Sequence, residues 1–266
     1  MSCSGRHLLV GGAVVAAACG CALALAGPPL AWCALLPPIA YLALLVMGVM
    51  QPRLAMFAPV VCEGPRVRAE VALTFDDGPH PVATRRVLAV LARVGARATF
   101  FVLGAKARQA PEVLREMVAA GHELGIHGDR HDRRLSLRHP DAIVASLERV
   151  LAAIASATGE RPRLFRPPIG HVSPRTAVAA RRLGLTLVGW STRSRDGRAA
   201  TTAEQATRRV LAGLRPGAII LMHDAAEHDD REPVAPAALP AILDEIARRG
   251  LQCVTLSQLL RPEGSP

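Results

Sequence analysis

Aromatic residues are scarce in this chain, at 3% of 266 residues with one Tyr and two Trp. A platform that stacks single-stranded nucleic acid needs several such rings. No reader motif takes their place, so nucleic acid is excluded as a partner. Lysine is almost missing too, Lys106 being the one lysine among 32 basic residues. Cysteine is sparse where it would matter. Cys3, Cys19, Cys21 and Cys33 lie in or beside an apolar stretch, which leaves Cys62 and Cys253 for the polar remainder. Two distant thiols make neither a disulfide framework nor a metal cluster. Half of the chain is hydrophobic and 20% is charged, which excludes a disordered chain. The net charge of +10 fits an arginine-rich composition without purpose. It fits equally a basic face turned toward anionic lipid or an acidic substrate.

Charged residues are wholly absent from Leu8 to Pro52. A membrane-spanning helix takes about 20 apolar residues. Gly27-Pro28-Pro29 divides the stretch into two pieces of that size, 8–26 and 30–50. Residues 1–52 therefore read as a membrane segment of two helices in a tight hairpin, integral to the cytoplasmic membrane, with lipid as its partner. The competing reading is a signal peptide with Arg6 as its basic start and Ala24-Leu25-Ala26 as its cleavage site. The length of the first run, and the second run behind it, speak against that. Pro37-Pro38 is expected to kink or break the second helix. Residues 53–69 carry Pro59, Gly64 and Pro65 without a clear period and read as a linker. A single domain over 70–266 follows.

From Val71 onward β-rich runs alternate with helical ones. Strands are expected at Val71–Phe75, Ala98–Val102, Glu123–His127, Arg163–Arg166, Leu185–Trp190, Ala218–Met222 and Leu251–Leu256. Pro111 opens a helix that Gly121 closes. In Asp141–Thr158 the residues Ile143, Leu147, Val150, Leu151 and Ile154 fall at helical spacing. Ser173 caps a helix from Pro174, Thr201 with Glu204 fits a capping box, and Pro240–Arg249 forms one more helix. Such alternation means an α/β fold, a parallel sheet with helices outside it. About seven units in roughly 200 residues favour a distorted (β/α) barrel, closed or incomplete, over an open sheet, with the chemistry gathered at the strand ends.

Those ends are rich in reactive side chains. The first strand runs into Thr74-Phe75-Asp76-Asp77-Gly78-Pro79, and the third into His127-Gly128-Asp129-Arg130-His131. The fourth runs into Arg166-Pro167-Pro168-Ile169-Gly170, the fifth into Trp190 through Asp196, and the sixth into His223-Asp224. Each alone reads as an ordinary polar loop. Together they would line one barrel mouth. One carboxylate and two imidazoles form a ligand set for a catalytic Zn²⁺ or another divalent ion with open positions.

These five segments, in this order, resemble the motifs of the polysaccharide deacetylases with a NodB-homology domain, carbohydrate esterase family four, over about residues 70–260. The resemblance implies a metal-dependent hydrolase that removes an N-acyl group, acetyl above all, from an amino sugar in a glycan. It implies Asp77, His127 and His131 as ligands of one divalent ion, Zn²⁺ first, Co²⁺ or another as alternatives. It implies Asp76 as general base, His223 as general acid and Arg166 as the residue orienting Asp76. Two motifs depart from the pattern. Ile169 stands where an aromatic is usual and would still present its backbone N–H to an oxyanion. Arg193 replaces an earlier Asp and Gly197 a Trp, which leaves Asp196 as the candidate for tuning His223.

Two spans return the chain to its starting side, and Arg6, Arg53, Arg66 and Arg68 flank them, which leans toward a cytoplasm-facing domain. There it would act on a lipid-linked or nucleotide-linked amino sugar rather than a wall polymer. A non-catalytic sugar-binding membrane protein of the same fold is the rival. The presence of Asp76, Asp77, His127, His131 and His223 argues against it.

Overall fold

The structure is a computed structural model that describes residues 3–25, 32–227 and 231–262. Its centre is a parallel sheet in the order β5-β4-β3-β2-β1-β7-β6. The strands are β1 (Glu70–Asp76), β2 (Ala98–Leu103), β3 (Glu123–Gly128), β4 (Leu164–Phe165), β5 (Thr186–Leu187), β6 (Thr192–Arg193) and β7 (Ile219–His223). An eighth, β8 (Gln252–Cys253), pairs with the first two residues of β1. The sheet curls into a half-barrel. Between its outer strands runs the segment before β1, where Val61 pairs in parallel with Val188 and Glu63 antiparallel with Ala218.

Strand periodicity decides what reaches the interior. Side chains alternate along a strand. Val71, Leu73 and Phe75 of β1, Phe100 and Val102 of β2, and Ile220 and Met222 of β7 join the core beneath the helices. Ala72, Phe101 and Ile219 belong to a second cluster inside the half-barrel. The same parity carries Thr74 and Asp76, then Leu221 and His223, to the inside. Gly125 on β3 makes room there, since a Cβ at that position would stand 2.6 Å from the Phe101 ring.

Helices at Ala83–Ala92, Pro111–Ala119, Pro140–Thr158, Pro174–Arg182, Ala203–Ala212 and Ala235–Arg248 cover the sheet. In the longest, Ile143, Leu147, Val150, Leu151 and Ile154 are all buried, and Ser173 caps the next one in a capping box with Thr176. Several expected boundaries move. The capping box is Thr202 with Gln205, one residue later than Thr201 with Glu204. The last long helix starts at Ala235, so Pro236 takes the opening turn and Pro240 lies inside. The expected strand Leu185–Trp190 keeps only Thr186–Leu187. At Gly189 the backbone turns to Val61, and at Ser191 to Ile219, which creates β6 as a separate strand. Leu251–Leu256 shrinks to β8 because Thr255 caps a short helix starting at Leu256.

The N-terminal segment forms a helix over Cys3–Leu25, a 3₁₀ turn over Trp32–Leu35 and a helix over Leu36–Met50. His7–Leu25 and Cys33–Met50 are long and apolar enough to cross a membrane, with mean hydropathy 2.4 and 2.1. Pro37-Pro38 does not break the second helix. It lies in the first turn, where the missing N–H groups have no intrahelical partner to lose. The Tyr41 hydroxyl donates to the Leu9 carbonyl at 2.9 Å, tying the two helices together. Ala26, the Gly27-Pro28-Pro29 turn and Leu30 lie outside the described residues. Residues 53–69 are packed rather than free, with Met56 buried against Gly48 and Ala58 in the core.

Candidate active site

β1 delivers Asp76 to the interior and then turns. Asp77 adopts φ +73°, the left-handed region, and so swings its carboxylate to the same side. β3 brings His127 by parity, and the loop behind it returns His131. The His127 Nε2 and the His131 Nε2 lie 3.6 and 3.7 Å from Asp77 Oδ1. One ligand atom from each of the three residues lies within 4.8 Å of the others. Donors held about 2.1 Å from a tetrahedral ion stand roughly 3.4 Å apart, so the spacing fits. Two further observations support that fit. Asp77 Oδ1 is buried with no hydrogen-bond partner, a cost that a cation would remove. Each imidazole also has its Nδ1 turned to an acceptor, that of His127 hydrogen-bonded with the Arg166 carbonyl at 2.8 Å and that of His131 in ion-pair contact with Glu227 at 2.9 Å. That directs both Nε2 atoms at Asp77, the usual arrangement of metal-binding histidines. Burial lowers the His127 pKa, against the pull of Asp76 and Asp77, and so favours the neutral, ligating form.

Asp76 is 3% exposed and Arg166 fully buried. The guanidinium donates to Asp76 Oδ1 at 2.7 Å, Thr74 Oγ1 at 2.9 Å and the Gly189 carbonyl at 2.8 Å. It lies over the Phe101 ring at 4.1 Å. An arginine buried this deep is tolerated because a carboxylate partners its charge and oxygens accept from Nη1 and Nη2, although Nε is left without a partner among the described residues.

His223 stands opposite, on β7, in register with Asp76. Its Nδ1 is 2.7 Å from Asp196 Oδ1, and its backbone N–H donates to Asp196 Oδ2 at 2.9 Å. Burial works against the imidazolium. The Asp196 charge and hydrogen bond outweigh it, with Asp77 and Asp76 adding to them, and the pKa is pushed up to about 10. Gly197 leaves space over the ring, since a Cβ there would stand 3.1 Å from His223 Cε1. The sequence neighbour Asp224 plays no part in this pair. It turns away to accept from the Thr84 hydroxyl, and burial pushes its carboxyl up to about 7.

Asp76, Asp77, His127, His131, Ile169 and His223 line one cleft of about 260 Å³. Ile169 sits at φ +53°, its side chain 39% exposed on the cleft wall near Trp190. Asp77, Ile169 and Arg195, three of the four non-glycine residues with positive φ among those described, are all in this lining, where backbone strain tends to be stored. Arg166 and Asp196 act from behind the wall. Sequence reasoning missed Glu227, which supports His131 and pairs with Arg133 through contacts of 3.2 and 2.6 Å. It missed Arg133, Arg193, Arg195, Arg198 and Arg231 as lining residues as well.

A family model for polysaccharide deacetylase matches residues 63–188. A chitooligosaccharide deacetylase of Bradyrhizobium sp. (strain ANU 289) is 36% identical over 198 residues, 71% of this chain and 90% of that protein. The peptidoglycan-N-acetylglucosamine deacetylase PgdA of Listeria monocytogenes serotype 1/2a is 33% identical over 194 residues, 73% of this chain. The chain spans only 39% of that relative's length. A family 4 acetyl xylan esterase from Clostridium thermocellum, solved in complex with a cobalt ion, matches with a TM-score of 0.65 at 38% identity. That match covers 71% of this chain and 89% of the esterase. The chain belongs to the polysaccharide deacetylase family.

Proposed function

We propose that this protein is a membrane-anchored hydrolase that removes the N-acetyl group of an amino sugar, with a divalent ion, Zn²⁺ in first place, on Asp77, His127 and His131. Such an ion, when bound, polarises the acyl carbonyl and brings the pKa of water from 15.7 toward about 7. The chain's own residues supply the proton transfers. Arg166 occupies Asp76 Oδ1, so Oδ2 is the oxygen placed to take a proton from the attacking water. His223 holds a proton on the opposite side and delivers it to the departing nitrogen. The Ile169 backbone N–H serves as a donor to the tetrahedral oxyanion.

The observation that carries this reading is the pairing of a base locked by arginine with an imidazolium locked by Asp196 across one three-ligand site. It also speaks to the bond cleaved. An amine departs only when protonated, while an alkoxide departs more readily. A histidine whose proton is held up to about 10 suits an amide. The names of the Bradyrhizobium and Listeria relatives describe the same chemistry.

The two apolar helices hold the domain at a bilayer, with the domain on the cytoplasmic face. A reporter fused after Pro266 that is active only in the periplasm or outside would overturn that orientation. The test of the chemistry is amine release from an N-acetylated sugar oligomer, read together with metal content. Asp76→Asn abolishes release and keeps the ion, while His127→Ala and His131→Ala lose the ion. Equal metal content in all four proteins would overturn the ligand assignment.

A further inference from the structure

Three guanidiniums stand at the mouth of the cleft without a partner among the described residues. Arg193, Arg195 and Arg198 all line it and all are exposed. Their side chains make no hydrogen bond or ion pair among the described residues. Among the described residues, the two carboxylates nearby are committed, Asp196 to His223 and Glu227 to His131 and Arg133. Arg231 lies on the same rim and donates to the Gly197 carbonyl. Partial desolvation, and after it the like charges of Arg195 and Arg198, weaken the hold of Arg193 on its proton. A neutral glycan offers such a rim hydroxyl and carbonyl acceptors but no charge to answer its own. An anion carried by the substrate answers it, because guanidinium groups match phosphate oxygens in geometry and charge.

The position of this rim narrows the substrate further. Both walls of the cleft are hydrogen-bonded to the residues that end the second apolar helix. Val172, two residues beyond Gly170, donates to the Val49 carbonyl at 3.0 Å. Arg53 donates to the Trp190 carbonyl at 3.3 Å and to that of Ser191. Gly170 and Trp190 are themselves part of the cleft lining. The mouth is therefore fixed to the point where the chain leaves its apolar hairpin.

We propose that the substrate is an N-acylated amino sugar carrying a phosphate or diphosphate, held by Arg193, Arg195 and Arg198 while the amide lies over Asp77 and His223. This rests on the hydrolase reading above and deepens it. A lipid-linked and a nucleotide-linked sugar share this chemistry. The closeness of the mouth to the hairpin favours the lipid.

The test uses the full chain in detergent micelles, loaded with Zn²⁺, and compares kcat/KM for amine release from three substrates. These are polyprenyl-diphosphate N-acetylglucosamine, uridine-diphosphate N-acetylglucosamine and a neutral N-acetylglucosamine tetramer. A phosphorylated substrate is expected to be preferred over the tetramer by at least about tenfold, the scale of one hydrogen bond between charged groups. Arg193→Gln and Arg198→Gln should each cut that ratio by about tenfold through KM. Added salt should raise KM for the phosphorylated substrate. A higher rate on the lipid form than on the nucleotide form identifies the lipid as the source, and the reverse order the nucleotide. Wild-type protein that favours the neutral tetramer, or a ratio unmoved in both variants, overturns the anionic substrate and leaves the hydrolase reading standing. No release from any of the three by zinc-loaded protein overturns both.

Discussion

The partnership of Asp196 and His223 makes a pH prediction whose sign is fixed by the geometry. A general acid works only while it carries its proton, so the rate falls on the alkaline side as that proton is lost. His223 keeps it to about 10 against an ordinary 6.5, because the Asp196 carboxylate overcomes burial and Asp77 and Asp76 assist. A cation on Asp77 cancels part of that assistance and draws the wild-type limb below 10. Asp196 makes two contacts to His223, to Nδ1 at 2.7 Å and to the backbone N–H at 2.9 Å, and also accepts from the Ser194 hydroxyl. Asp196→Asn removes the charge and leaves one amide oxygen for the three donors. Burial is then no longer outweighed, and the limb should move down by at least one pH unit, toward 6.5 or lower. A group of pKa 6.5 is about 3% protonated at pH 8, so the variant should run about 30-fold slower there while approaching wild type near pH 6. The assay is kcat for amine release from pH 5 to 10, with metal content and Tm measured in parallel. A limb that stays in place in a folded, metal-loaded variant would refute the tuning role.

Glu227→Gln should weaken divalent-ion retention by about 10- to 100-fold, since Glu227 fixes the Nδ1 of His131 at 2.9 Å; competition with a chelator measures this, and unchanged affinity would count against the assignment. Arg166→Leu strands the Asp76 carboxylate in a site where both residues are buried; a loss of about 3–5 kcal/mol is expected in chemical denaturation, and a variant as stable as wild type would show that the pair is not what holds this layer. Asp224 gives a stability prediction. Burial raises its folded pKa to about 7 from 3.8, so its contribution is fullest below about 3.8 and is lost as pH rises through about 7. Asp224→Asn should therefore lose less stability than wild type between pH 5 and pH 8, and parallel denaturation profiles would refute it.

The fold was legible where physics is local and repetitive. Ile143, Leu147 and Ile154 repeat at helical spacing because one helix face is buried. The strand runs of β1, β2 and β7 stand out because both of their faces are covered. The curled parallel sheet followed from their alternation with helices. Boundaries set by tertiary pairing were not legible. Nothing within Leu185–Trp190 announces that Val61, more than a hundred residues earlier in the chain, claims Val188 and splits the run. The same long-range pairing brings Val61 and Glu63, in the stretch read as a linker, against the sheet. At the site, Asp76, Asp77, His127, His131 and His223 showed in the sequence because each ends or follows a strand. Glu227 did not, because only the curl of the sheet brings the loop after β7 against His131. The rim arginines were hidden among so many others that position alone distinguishes them.

Three histidines of the same ordinary basicity meet in this cleft, and what separates their roles is the partner on Nδ1. His127 faces a backbone carbonyl, a neutral acceptor that fixes the tautomer without adding charge. Burial then keeps the ring neutral with its Nε2 lone pair toward Asp77. His131 faces Glu227, a carboxylate that Arg133 shares. His223 faces Asp196, which is buried and accepts from Ser194, with no arginine in the exchange. There the carboxylate's charge is left for the ring to answer, and the proton stays. Under the proposed roles, two ligands and one acid would arise from one residue type by the choice of carbonyl, shared carboxylate or undivided carboxylate. Exchanging those partners, rather than the histidines, is what would scramble the site.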